Sequence, residues 1–350
     1  MTLDDLDEIG RIDASGMLGV IARMGPMMAE GWRASADLPL PRAPEAVVVC
    51  GLGGSAIGGD LLAALVAPSS RVPVLCVRDE RLPAFVGPRT LLVACSYSGD
   101  TEETLAAYEA ARRAGASTVA VTAGGRLAEQ ARAHGDGLVL VRSGLQPRAA
   151  LPLLLMPMLR LATQCGLAAA DERDVSEAQA MLDGLAAQWK PEVPAAENPA
   201  KALAQALYGV VPAVYAGSPR LEAVARRWKG QFNENSKVFA VANVFPELVH
   251  NEIVGWEGVR NGVPAIHVVI LRDRDDGARS GARIDAARAV SFERARGSTE
   301  VWSQGSGVLT RLFSLILFGD MVSAYLAVLA GVDPTPVGPI ASIKELLSRA

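Results

Sequence analysis

Hydroxyl side chains crowd two short stretches of this sequence, each between an apolar run and the start of a helical pattern. The first, "GLGGSAIGGDLL" (Gly51–Leu62), follows "AVVVC" and contains Ser55. The second, "CSYSGDTEET" (Cys95–Thr104), closes the run "TLLVAC" and sets Ser96, Ser98 and Thr101 close together. A strand that passes through glycines into a helix presents open amide N–H groups at the positive end of the helix dipole, which suits phosphate. Strand ends of a parallel sheet converge on one edge, so both turns can face one ligand. Gly54 and Ser55 from one turn, with Ser96, Ser98 and Thr101 from the other, then describe a site for the single phosphate of a small substrate.

A dinucleotide site is the competing reading. Gly51, Gly53 and Ala56 fit G-x-G-x-x-A, and Asp79 ends the second strand about where a ribose-binding acid belongs. Ser55 inside the loop and the second hydroxyl-bearing turn count against it, because a dinucleotide fold needs neither. Asp100 and Glu103 read as an N-cap and its capping-box partner. A carboxylate at that place must point away from a bound dianion.

The elements that would position these turns alternate along the chain. Short apolar runs "AVVVC", "VPVLCV", "TLLVAC", "STVAVTA" and "GLVLV" are separated by helical stretches, a helix being expected from about Ile57. Such runs suit a parallel sheet covered on both faces. Two short helical stretches precede the first strand. From Leu151 to about Trp189 the pattern is helical, and "KPEVPAAENP" (Lys190–Pro199) reads as a linker. The plan then restarts with "VVPAVYAGSPRLEAVARRW", "VFAVANVF" and "AIHVVILR". The expected fold is α/β, with two doubly wound parallel-sheet domains of similar plan: residues 1–165, a helical connection and linker at 166–199, and residues 200–350. "YAGSPR" repeats the strand-Gly-Ser-helix plan without a second hydroxyl turn, so one phosphate site per chain, between the domains, is expected.

Composition narrows the function. With 350 residues and a net charge of −4, the chain lacks the clustered cations of a nucleic-acid binder. Its four cysteines have no CxxC spacing and read as reduced core thiols of a cytoplasmic protein. "MTLDDLDEIGRID" has no apolar core of a secretory signal. The apolar run Arg311–Val332 is cut by Asp320 and reads as a buried helix, not a membrane span. His134, His250 and His267 are scattered, which gives no metal-ligand spacing. His134 reads as a cation at a helix C-terminus and His267 as a residue of the sheet. No metal and no cofactor are expected.

"GLGGSAIGGD" and "SYSGDTEET" resemble the phosphate-binding segments of the sugar isomerase domain. "GLQPRAAL", "QFNENSK", "ELVHNEIVGW" and "GVDPTPVGPIASIKELL" resemble the bifunctional phosphoglucose/phosphomannose isomerase family, the matches running in order from about Gly51 to Leu347. Asp100 stands where that family commonly has Asn. The resemblance implies interconversion of glucose 6-phosphate, and of mannose 6-phosphate, with fructose 6-phosphate. That chemistry needs a carboxylate that moves a proton between C1 and C2 through an enediolate. Glu234, flanked by Asn233 and Asn235 where the pattern leaves a helix, matches the family's base. His250 matches its ring-opening acid/base, contributed in related isomerases by the neighbouring subunit, which implies a homodimer. Arg148 is placed to meet a developing oxyanion, and Lys344 matches the family's C-terminal active-site lysine. A sugar-phosphate sensor without turnover would carry the same two turns, and an NAD-dependent enzyme would use only the glycines. Ligand binding without turnover, or a response to NADH, separates these from an isomerase.

Overall fold

The computed structural model describes residues 2–35, 38, 44–261, 263–347 and 349. By their contacts the residues form two units: Arg23–Asp183 with Gly305–Phe313, and Met1–Ala22 with Gly184–Gln304 and Ser314–Ala350. We call these the N-terminal and C-terminal units.

The N-terminal unit is built on five parallel strands: β1 (Ala46–Cys50), β2 (Val74–Val77), β3 (Thr90–Cys95), β4 (Ser117–Thr122) and β5 (Gly137–Leu140), in the order β2-β1-β3-β4-β5. Every residue of β1 and β3 is buried, as suits runs that are apolar apart from Thr90, whereas β2 and β5 form the edges. One face packs Val48, Leu92 and Ala120 against Leu105 and Tyr108 of the Glu102–Arg113 helix and Leu127 of the Gly125–His134 helix. The Gly53–Val66 helix starts four residues before the expected Ile57. Its glycines mark close packing rather than loop: a Cβ on Gly59 would lie 2.9 Å from Val49 Cγ1, and one on Gly58 would lie 2.9 Å from Met158 Cε. The Leu151–Gln164 helix, with eleven of its fourteen residues buried, packs against it and against the Met24–Arg33 helix.

The C-terminal unit repeats the plan with four parallel strands, β6 (Val211–Ala216), β7 (Val241–Val244), β8 (Ile266–Arg272) and β9 (Gly297–Trp302), in the order β7-β6-β8-β9. Tyr215, Val268 and Ile270 face Phe245, Trp256, Ile284 and Phe292. His267 lies in β8, buried, with Nε2 2.9 Å from Thr299 Oγ1, as a sheet histidine should. Trp228 of the Glu222–Gln231 helix donates from Nε1 to Leu315 O (2.9 Å) of the Val308–Leu329 helix. That last helix is long and apolar enough to cross a membrane, yet nearly all of it is buried in the fold. Its Asp320 is held by Arg227, the two side chains being 1% and 2% exposed.

The contacts divide the chain differently from the expected boundaries at 165 and 200. The first 22 residues group with the C-terminal unit because Asp4 Oδ1 accepts from Ala195 N (2.7 Å) and from the buried Lys201 Nζ (3.2 Å). Residues 166–183 group with the N-terminal unit, where Ser69 Oγ donates to Leu167 O (3.4 Å). Among the described residues three helices rather than two precede β1: Leu6–Ile12, Met17–Ala22 and Met24–Arg33. Residues 190–199 are tied in the middle by Asp4, which accepts from Ala195 N, and across their length by Asn198, which donates to Lys190 O and caps the Pro199–Leu207 helix.

Candidate functional site

In a sheet of order β2-β1-β3 the loops after β1 and β3 diverge to opposite faces, and the crevice between them is where ligands of doubly wound folds sit. Both hydroxyl-bearing turns lie at this crevice. They approach so closely that a Cβ on Gly51 would lie 2.6 Å from Cys95 O. Ser55 Oγ accepts from Tyr97 N (3.3 Å), which joins the turns directly. Leu52, at the N-cap of the Gly53–Val66 helix, offers no side-chain acceptor; its carbonyl accepts from Ser55 N (3.1 Å), and the Gly53 and Gly54 amides stay open.

The second turn is shaped from within. Ser96, buried, accepts from Gly99 N (3.1 Å) and shares a hydrogen bond with Thr101 Oγ1 (2.9 Å). Ser98 is exposed and accepts from Asp100 N (3.3 Å). The N-cap of the Glu102–Arg113 helix is Thr101, not Asp100, and makes no side-chain capping bond, so these amides too remain open. Asp100 serves the next helix instead. Its Oδ1 accepts from Arg126 N (3.0 Å) and lies 3.6 Å from Arg126 Nε. The Asp100 carboxylate is thus drawn to the start of the Gly125–His134 helix and offset by that guanidinium.

The same crevice holds Arg148. It lies in the 3-10 turn Pro147–Ala150, is 2% exposed, and has Nη1 3.5 Å from Gln146 Oε1. A Cβ on Gly54 would lie 3.0 Å from Pro147 O and 3.1 Å from Arg148 N and Cα, so the glycine lets the arginine's backbone abut the first turn. Tyr97 fixes the approach to this segment: its hydroxyl donates to Arg142 O (2.9 Å) and accepts from Leu145 N (3.0 Å). Gly54, Ser55, Ser96, Thr101 and Arg148 are thus gathered by one unit. Tyr97 is a participant that residue types alone did not reveal, since it reads as one more buried aromatic.

The acid/base candidates belong to the C-terminal unit. Glu234 is half-buried in the π-helical turn Phe232–Ser236, which prolongs the Glu222–Gln231 helix. Such turns aim one side chain off the regular helical track and recur at functional sites. The turn is held from behind: Asn235 Nδ2 donates to Ser323 Oγ (2.9 Å), and Ser236 Oγ donates to Ser323 O (2.6 Å). His250 is exposed at the end of the 3-10 turn Glu247–His250. Glu252 anchors its segment to the sheet, accepting from the Tyr215 hydroxyl (2.5 Å) and Asn243 Nδ2 (2.5 Å). Burial and the neighbouring carboxylate push the Tyr215 phenol up, so it stays a donor. Lys344 sits on the Gly338–Leu347 helix, all of whose described side chains are exposed. Glu234, His250 and Lys344 therefore occupy three separate elements.

The corresponding crevice of the second sheet, beside Gly217 after β6, is filled. A Cβ on Gly217 would lie 2.7 Å from Asp276 Oδ2 and 2.9 Å from Leu271 O. Asp276 Oδ2 accepts from Arg272 Nε (3.1 Å) and Asp273 N (3.0 Å). A carboxylate of the chain itself takes the donors that a ligand would need. Among the described residues no three His, Cys, Asp or Glu side chains are grouped to hold a metal ion. The four cysteines are free, and burial pushes the Cys76 and Cys95 thiols up to about 12.

Residues 196–347 match the bacterial phospho-glucose isomerase C-terminal SIS domain family. A bifunctional phosphoglucose/phosphomannose isomerase of Caldicellulosiruptor bescii is 44% identical over 87% of this chain and 90% of its own. A protein of the same name from Aquifex aeolicus is 33% identical over 87% and 91%. Among solved structures, a glucose-6-phosphate isomerase like protein from Thermus thermophilus superposes with a TM-score of 0.63 over 99% of both chains, at 22% identity, a likeness of fold. The shared length and identity place this chain in the bifunctional phosphoglucose/phosphomannose isomerase family.

Proposed function

We propose that this protein interconverts glucose 6-phosphate and mannose 6-phosphate with fructose 6-phosphate, an aldose–ketose isomerisation that uses side chains alone. The observation that carries the reading is the crevice at the ends of β1 and β3, where two uncapped helix starts, Ser55 and Arg148 converge. The open amides, with Gly54, Ser55, Ser96, Ser98 and Thr101, grip the phosphate, Ser96 by shaping its turn. His250 protonates the ring oxygen as the C1 hydroxyl is deprotonated, or the reverse, which opens the ring. Glu234 removes the C2 proton of the open-chain aldose as the electrons move to the carbonyl oxygen, giving an enediolate. The O2 proton passes to O1, Glu234 returns its proton to C1 as the C2 carbonyl forms, and the ketose results. Arg148 and Lys344 supply fixed positive charge where the oxyanion develops, which lowers the barrier because no dipoles need reorganise.

His250 is exposed on its own chain, which fits a homodimer in which it completes the partner's site. Membership of a family of sugar-phosphate enzymes favours the cytoplasm, where such substrates reside.

The test is a coupled assay with each hexose 6-phosphate in the presence of a chelator, on wild type and Glu234→Gln. Turnover that survives chelation, and that the substitution abolishes while sugar phosphate still binds, is the expected result. Binding without turnover in wild type would make the chain a sensor. Near-normal turnover in Glu234→Gln would remove the proposed base.

A further inference from the structure

Lys237 has no part in the scheme above, yet its placement is unusual. It closes the π turn with φ of 55°, in the left-handed region that side chains other than glycine, Asn and Asp seldom enter. From there the side chain folds back over the turn. Its Nζ lies 3.0 Å from Glu234 O and 3.1 Å from Asn235 O, and also 2.7 Å from Asp333 O and 3.1 Å from Pro334 O. Four carbonyls surround an ammonium with three protons, so the bonds are shared and charge-assisted.

A lysine that merely caps a helix meets the carbonyls of its own last turn. Here two of the four acceptors belong to a segment 96 and 97 positions along the chain. That segment has its own brace, Asp333 Oδ1 accepting from Thr335 N (2.8 Å). One acceptor is the backbone oxygen of Glu234 itself, so movement of the ammonium moves residue 234 directly. Asn235 and Ser236 tie the turn to Ser323 on the long core helix. Lys237 ties it to the segment that follows that helix.

We propose that Lys237 is a positioning residue that locks the backbone of the Glu234 turn against the Asp333–Pro334 segment and so sets the aim of the carboxylate. The inference rests on Glu234 being the base. Proton transfer tolerates little misalignment: a misplacement of 1 Å costs on the order of 10²-fold in rate. Losing the clamp should therefore appear in kcat. The phosphate grip, made elsewhere, should leave KM alone.

The experiment compares Lys237→Met, Lys237→Gln and Lys237→Arg with wild type and Glu234→Gln in the 350-residue chain. It measures thermal midpoints, kcat and KM for fructose 6-phosphate, and the pH profile of kcat. Lys237→Met should lower kcat by ~10- to 100-fold with KM within about twofold. The acidic limb of its pH profile should shift, because the carboxylate's surroundings change. Lys237→Arg, which keeps the charge and several donors, should recover part of kcat. If Lys237→Met does not fold, Lys237→Gln carries the same expectation at smaller amplitude. Wild-type kcat in the folded variants, with Glu234→Gln inactive, would overturn the clamp alone. A loss that follows only the folded fraction, with an unchanged pH profile, would reduce Lys237 to a structural cap and also overturn it. An active Glu234→Gln would overturn the reading on which the proposal depends.

Discussion

Gly54→Ala isolates the contact between the first turn and Arg148. The added Cβ would lie 3.0 Å from Pro147 O and 3.1 Å from Arg148 N and Cα, all backbone atoms that no rotamer change can move aside. Ordinary contact begins near 3.4 Å, so the turn and the 3-10 segment must separate by about 0.4 Å. At ~10²-fold per ångström of misplacement, kcat/KM should fall roughly sixfold. Stability should change little, because alanine is the better helix former by about 1 kcal/mol and offsets much of the strain. Steady-state rates with fructose 6-phosphate, beside a thermal melt, read both quantities. Gly87→Ala is the control, since its Cβ would meet nothing closer than 3.8 Å. A folded Gly54→Ala protein with wild-type kcat/KM would refute the idea that the close approach of Arg148 to the phosphate turn matters for catalysis.

Three further outcomes follow from the same geometry. Asp320→Ala strands the buried Arg227 guanidinium and should cost about 3–5 kcal/mol, read as a lowered urea midpoint; an unchanged midpoint would mean that solvent reaches the pair. Burial lowers the His267 pKa below its ordinary 6.5, so on acidification through 6.5 the unfolded chain takes up the proton first and the folded state loses stability. His267→Asn should flatten that part of the stability–pH curve between pH 7.5 and 5.5, and an equally steep curve in the variant would assign the loss to other groups. Titration calorimetry with inorganic phosphate should give one site per chain, because Asp276 fills the second crevice, and two equivalent sites would contradict that account.

What the sequence conveyed, it conveyed through local physics. β1 and β3 were legible because strands buried on both faces are apolar nearly throughout, Thr90 at the start of β3 excepted. β9 was missed for the converse reason: an edge strand, it pairs on one side only and alternates as "GSTEVW". The Gly53–Val66 helix start was read four residues late, since glycine's low helix propensity says nothing about the strand and helix that press on it. Asp100 was assigned to the wrong helix because a capping box is a pattern of neighbours, whereas its partner, Arg126, lies 26 residues on. Glu234 could be seen as the place where a helical pattern fails. That the failure is a π turn depends on Ser323, some ninety residues away, and no local window contains both.

The two sheets show how one plan yields a binding crevice in one case and a closed one in the other. Both run strand, glycine, helix at the central strand, and both place a second loop beside it. After β3 the chain brings small hydroxyl residues and turns its acid, Asp100, outward to the next helix, so donors remain unused at the crevice. After β8 it brings Arg272 and Asp276, which pair with each other, and Asp276 Oδ2 lies within 2.7 Å of where a Gly217 side chain would begin. The difference is that after β8 the chain's own carboxylate occupies the place beside the glycine, whereas after β3 it is turned to the next helix. On the proposed function, the second unit binds no phosphate of its own, and its π turn and 3-10 turn carry the acid/base candidates instead.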